Sequence, residues 1–219
     1  MSLCLSFFRI LRGMWHFGNT SVRSALRLRE GLIALKNSGK EGQIRGKEGD
    51  QNFRDLLGNS QVVNLGNDDS FSVGRKWRSA MEKMGFINIT LKGDEKSFQD
   101  NIGKPDYVSK NGQRLIDAGD DIRRQNECFL RSLCAYYIDY EGICSPFIFT
   151  LKILNSLLEK FGDSKISMHE MALIVQCSDP KSNTDEVVNS IVRFRKKRKE
   201  ADSKLKFDRE YYHLKAKHY

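Results

Sequence analysis

Residues Phe71 to Leu115 read FSVGRKWRSAMEKMGFINITLKGDEKSFQDNIGKPDYVSKNGQRL, and the order of patterns in this stretch decides the fold. Ser72 suits a helix N-cap, since its hydroxyl can accept from a free N–H of the first turn. Val73, Trp77, Ala80, Met81 and Met84 then recur at i, i+4, i+7, i+8 and i+11, an apolar stripe along one helix face. Gly85 stands where a left-handed residue ends a helix, with Phe86 as the usual apolar contact after it. Arg75, Arg78, Ser79 and Glu82 share the outer face, flanked by Lys76 and Lys83. Ile87–Leu91 alternates apolar and polar with β-branched residues, which predicts a strand. A polar loop over residues 92–105 follows, Asp106–Ser109 returns as a second strand, and Asn111–Ala118 is helical up to Gly119. Helix, strand, loop, strand and helix in this order predict a winged helix whose wing is the strand–loop–strand. The fold class expected is mainly α with short β-hairpins, made of winged-helix or helix-turn-helix DNA-binding subdomains.

Towards the N-terminus, residues 14–17 are an aromatic cluster and Gly18-Asn19 a turn. A helix is predicted from Ser21 to Leu35, with Val22, Ala25, Leu26, Leu28, Leu32 and Leu35 packed and Arg23, Arg27 and Glu30 on the other side. Residues 36–50 carry four glycines among alternating charges and read as a flexible, solvated connector. Asn52–Leu57 is a short helix closed by Gly58-Asn59, Gln61–Leu65 a brief strand, and residues 66–69 a turn. Residues 1–13 are apolar but short, lack a preceding basic segment and show no small-x-small site, so they read as a core-packing extension and not as a leader.

Towards the C-terminus, Arg123–Tyr137 is a helix with Cys128, Phe129, Leu133, Tyr136 and Tyr137 inward. Ser145-Pro146 opens another, serine at the N-cap and proline in the first turn. Its expected buried stripe is Ile148, Leu151, Leu154, Leu157, Leu158 and Phe161, and Gly162 stops it. Ser167 and Glu170 form a capping box before an apolar helix to Val175. After a turn at residues 179–183, Asp185 and Glu186 start a long basic helix anchored by Val187, Val188, Ile191, Val192 and Phe194. Acids first and bases later oppose the helix dipole.

The 219 residues carry a net charge of +9, and it is uneven. From Ile191 to Tyr219, eleven Lys and Arg stand against four acids, a net +7. Such an end suits phosphate, an anionic lipid surface or an acidic protein, or is a solvated helix face. Three prolines and the lack of a long apolar run exclude collagen-like and membrane-spanning classes. Five cysteines, an odd number without a C-x-x-C, point to reduced thiols in a cytoplasm and not to a disulfide framework or a zinc site.

Nuclease chemistry would need carboxylates and a lysine around a divalent cation, commonly as Pro-Asp followed by Asp/Glu-x-Lys. Pro105-Asp106 is present, but the next Asp-x-Lys, Asp163-Ser164-Lys165, is distant and lies in a turn. No Ser/His/Asp or Cys/His set stands out either. No catalytic or metal-ligating residue is therefore expected here, and Pro105-Asp106 reads as the return strand of the wing. DNA binding is the stronger signal, since arginine suits guanine edges and lysine suits phosphate. Winged helices also serve protein contacts, and that alternative stays open.

Four blocks, taken in order, resemble the N-terminal recognition region of the AlwI-type restriction endonucleases, which include nicking relatives. They are WHFGNTSVRSALRLREGLIAL; FSVGRKWRSAMEKMGFI; DYVSKNGQRLIDA with NECFLRSLCAYY; and SPFIFTLKILNSLLEKFGDSKISMHEMALIVQCSD with DEVVNSIVRFRKKRKE. Ser109 stands where the family often has threonine. The resemblance implies sequence-specific binding of double-stranded DNA at a short asymmetric, type IIS site. Cleavage is then expected from a separate C-terminal PD-(D/E)XK domain or subunit that uses Mg²⁺, with no cofactor in this chain. The expected division is an extension at residues 1–13, recognition subdomains at residues 14–120 (winged helix at 71–118) and 121–207, and, as the resemblance implies, the start of a linker at residues 208–219. Arg75, Lys76, Arg78 and Lys83 are expected on the base-reading helix. Arg23, Arg193, Arg195, Lys196 and Lys197 are expected on phosphate or in a second set of base contacts. Two other functions remain: a free-standing winged-helix transcription regulator, and a protein-interaction module with a basic tail.

Overall fold

A computed structural model of the chain describes residues 25–66, 72–91, 103–139, 143–176, 178 and 183–216. Arg23, the aromatic cluster at 14–17, the turns at 18–19, 67–69 and 179–182, most of the predicted wing and the extension at 1–13 lie outside the described residues. The chain is mainly helical and forms two compact units, one within His16–Ala135 and one from Tyr136 onward.

In the first unit, α1 (Ala25–Ser38), α2 (Gly46–Asn59), α3 (Ser72–Lys83), α4 (Lys110–Asp117) and α5 (Ile122–Ala135) surround one core. Leu28, Leu32 and Leu35 of α1 are buried as their spacing predicts, whereas Leu26 is exposed. Trp77, Ala80 and Met81 of α3 fill the centre, with Val73 and Met84 at its edge.

The connector expected over residues 36–50 is shorter than its glycines suggest, because α2 begins at Gly46, six residues before the predicted helix. Gly49 is buried in its first turn, and Phe53 and Leu57 are sealed in the core. Burial of that face outweighs the low helix propensity of glycine, roughly 1 kcal/mol per residue. Helix α3 approaches α2 closely at Gly74, where a Cβ would lie 2.0 Å from the Asp50 carbonyl oxygen. The strand expected at Gln61–Leu65 is absent; Gln61 takes φ 57° and turns Val62 into the core, its N–H donating to the Leu57 carbonyl at 3.0 Å.

Helix α3 ends as the sequence predicts. Gly85 adopts φ 67°, its N–H donates to Glu82 O at 3.0 Å, and Phe86 N–H reaches back to Met81 O at 2.8 Å. Phe86 then meets the Phe129 ring edge-on at 5.2 Å between centroids, which fixes α5 to this core. Thus α5, expected with the C-terminal subdomain, packs in the first unit. The two predicted wing strands pair at one bridge, Ile87 with Val108. Asp106 interrupts the return at φ 64°, although its N–H still donates to Asn88 O at 3.0 Å. Ser109 caps α4: its hydroxyl accepts from Gly112 N–H at 3.0 Å and donates to Gly85 O, tying the end of α3 to the start of α4.

In the second unit, two-residue strands β1 (Ile138–Asp139) and β2 (Ile143–Cys144) pair antiparallel. They lead into α6 (Pro146–Phe161), α7 (Met168–Glu170) with a π-helical continuation (Met171–Val175), α8 (Thr184–Glu200) and α9 (Lys204–Ala216). The caps follow the sequence: Ser145 accepts from Ile148 N–H, Gly162 closes α6 at φ 67°, and the Ser167–Glu170 box is present in both directions. The buried face of α6 differs from the predicted stripe. Phe149, Ile153, Ser156 and Leu157 are inward, while Leu151, Leu158 and Phe161 are exposed. α6 is apolar nearly all round, so periodicity does not choose a face; packing against α8 does.

Candidate nucleic-acid interface

Helix α8 has two basic faces of different character. Val187, Val188, Ile191 and Phe194 face the core. At about 100° per residue, Arg193, Lys196 and Lys197 fall on the opposite side, while Arg195 and Arg198 point back towards the core side. Burial agrees: Arg193, Lys196 and Lys197 are exposed, Arg195 and Arg198 half-buried. Among the described residues the Arg193 guanidinium bonds to its own helix, donating to Asn189 O at 3.3 Å and to Ser190 Oγ at 3.4 Å. Lys196 lies 4.0 Å from Glu200, an exposed pair of little energetic weight. The outer face is therefore open to an external anion.

Arg195 is committed within the fold. Its Nε donates to Glu170 Oε1 at 2.7 Å, its guanidinium reaches Glu170 Oε2 and the Lys165 carbonyl, and Asp163 lies 3.5 Å away. Glu170 Oε2 in turn accepts from Ser167 N–H at 2.7 Å, so one carboxylate joins the capping box to α8. Expected as a DNA contact, Arg195 is an internal clamp. Its partner lies 25 residues away, beyond any local pattern. Arg198 makes a similar two-pronged pair with Asp208 of α9 at 2.7 and 2.8 Å, and Phe194 packs on Phe207 and Tyr211.

Burial pushes the Glu170 carboxyl up, but the Arg195 hydrogen bond and the Ser167 backbone N–H outweigh it, and the group sits below the usual glutamate range. A folded value below the unfolded one, about 4.3, stabilises the fold above that pH; the contribution is lost as pH falls through the folded value. The second unit should accordingly lose urea resistance from about pH 5 downward, and E170Q should flatten that part of the profile. Methyl signals of Val188 and Ile191 followed in urea at several pH values would read this. An equally steep acid decline in E170Q would assign the decline to other carboxylates.

In the first unit, Arg75 is exposed on α3, and Lys76 and Lys83 are half-buried beside it. None of the three is in an ion pair among the described residues. Arg78, expected on the same outer face, is buried. It is one turn from Gly74 on the side that meets α2, and it pairs with Asp50 at 3.1 Å and Glu82 at 3.8 Å. The close approach at Gly74 makes that side an interface and not a surface.

The sequence profile of the AlwI restriction endonucleases matches residues 82–219, more than half of the chain. The chain belongs to that family. The match opens at Glu82, in the last turn of α3, so the resemblance over residues 15–35 and most of that over residues 71–87 precede it. No curated protein and no solved structure matches the chain.

Metal-assisted cleavage by a restriction endonuclease of this family would need acids free to hold a cation. Among the described residues, no three His, Cys, Asp or Glu stand together to hold a metal ion. The two acids with the nearest sequence pattern are engaged elsewhere. Asp106 is buried, with both carboxylate oxygens held by Arg45 at 2.9 and 2.8 Å. Asp163 faces Arg195. These residues do not fit a Mg²⁺ site. Among the described residues, no helix is long and apolar enough to cross a membrane, and Cys128 and Cys134 are free thiols.

Proposed function

We propose that this chain reads a short asymmetric site on duplex DNA, as the recognition part of a type IIS or nicking restriction endonuclease. Phosphodiester cleavage is then the work of a separate C-terminal PD-(D/E)XK domain or subunit using Mg²⁺, in the cytoplasm. The observation that carries the reading is the outer face of α8: its arginines on the core side are paired internally, and Arg193, Lys196 and Lys197 are left to solvent. Exposed basic side chains held only by weak contacts along their own helix suit phosphates, which supply most of the affinity and no sequence information. Membership of a restriction endonuclease family supports DNA as the partner.

Base reading is assigned to the winged-helix segment, with Arg75 exposed in the first turn of α3 and Lys76 and Lys83 further along it. Arg23 belongs to the same proposal. Arg78 supports α3 from behind by holding Asp50, and Arg195 shapes the end of α8. Selection of bound duplexes from a random pool tests the proposal. One asymmetric consensus is the expected result. A palindromic consensus would favour a dimeric regulator, and the absence of enrichment at moderate salt would remove sequence-specific recognition.

A further inference from the structure

The core side of α8 ends in a cavity of about 440 Å³, within the second unit and on the face opposite Arg193, Lys196 and Lys197. Ile166 and Phe194 give it an apolar wall. Lys165, Lys199 and Lys204 line it from three separate segments: the approach to α7, the last turn of α8 and the first residue of α9. Arg195 and Arg198 also line it, but each is matched by a carboxylate, Glu170 and Asp208. The three lysines have no carboxylate partner among the described residues, so the cavity has a surplus of positive charge. Lys204 is also badly placed for its own helix, because a cation in the first turn opposes the macrodipole.

Lysines present point charges that suit a phosphoryl group. The volume lies in the range of small-molecule sites, about 300–1,000 Å³, and the apolar wall suits an organic body. We propose that this cavity binds a phosphomonoester of nucleotide size, its phosphoryl group among Lys165, Lys199 and Lys204 and its body against Ile166 and Phe194. The ligand is a free nucleotide or the phosphorylated end of a DNA strand. The site stands apart from the duplex contact proposed for the outer face and does not depend on it.

Calorimetry on the full chain tests the site, with a deoxynucleoside 5′-monophosphate, the matching nucleoside and inorganic phosphate as probes. The monophosphate is expected to bind at least about tenfold more tightly than either other probe. K199A/K204A should weaken it by about tenfold or more while thermal melting without ligand does not fall, since neither lysine holds the fold together. R193A/K196A/K197A should leave it unchanged. A short single strand compared with and without a 5′-phosphate separates the sources: a stronger gain than with the monophosphate assigns the site to DNA ends, and a weaker one to free nucleotides. No heat with the monophosphate at ~10 mM, or equal binding by K199A/K204A, would overturn the site. Equal binding of the nucleoside would remove the phosphoryl group from it, and equal binding of inorganic phosphate would remove the organic body. Loss of duplex binding with the cavity still active would count against the recognition function alone.

Discussion

Replacing Arg45 by methionine is expected to destabilise the first unit by about 3 kcal/mol, the lower end of what breaking a buried ion pair costs. Asp106 is the reason. Its side chain is 3% exposed, and its two oxygens receive the Arg45 guanidinium at 2.9 and 2.8 Å. The hydrogen bond to Asp106 raises the affinity of Arg45 for its proton. Without the guanidinium the carboxylate stays desolvated with no countercharge. The lower end of the range applies because the Arg45 side chain is 38% exposed, so water can enter where it stood. D106N keeps the left-handed backbone at φ 64°, which asparagine tolerates, and removes the buried charge. R45M/D106N should therefore be more stable than the sum of the single losses predicts, by about 1 kcal/mol or more. Hydrogen exchange of α3 and α4 amides in the four proteins gives the cycle. Parent-like protection in R45M would show that Asp106 is solvated and that this pair holds nothing.

That pair also marks where the sequence stops being legible. What depends on four to six consecutive residues could be read directly: Gly85 with Phe86, Ser145 with Pro146, Gly162, and Ser167 with Glu170 all do what their local chemistry dictates. Each is satisfied by backbone groups within one turn, so no tertiary information is needed. The family was legible from the blocks at residues 106–137 and 145–200, which lie within the matched segment. The charged residues were not. Arg78 and Arg195 look like their exposed neighbours in sequence, and their fates are decided by partners 28 and 25 residues away. Arg45, in a stretch that reads as a solvated connector, has its partner 61 residues on. The same limit applies to α6, whose apolar residues cover most of the helix apart from a strip at Lys152, Asn155 and Glu159, and to α2, whose early start depends on packing against α3. A count of basic residues therefore overstates the candidate interface. In α8 it groups two clamps with the residues that are open.

Separating clamps from open cations gives the prediction with the largest functional effect. R193A/K196A/K197A should weaken duplex binding by on the order of 10²–10³-fold near 0.1 M salt, because each lost phosphate contact removes about 0.9 from the slope of log K against log salt. The slope itself should fall by about 2 to 3 if all three residues sit on phosphates. The consensus selected from a random pool should not change, since phosphate contacts carry no sequence information. The fold should not change either, as none of the three is buried or in a strong internal pair. R195A is the contrasting variant. It strips the countercharge from Glu170, whose side chain is 5% exposed, and should lower the melting temperature of the second unit before any DNA is added. R75A is the third arm, expected to relax the consensus at one position and to move the salt slope less than the triple variant does. Filter binding across a salt series, with melting curves for each variant, distinguishes the three. A triple variant that binds duplex DNA with the parent's affinity and slope would take the outer face of α8 out of the interface and leave the α3 segment and Arg23 as the candidates.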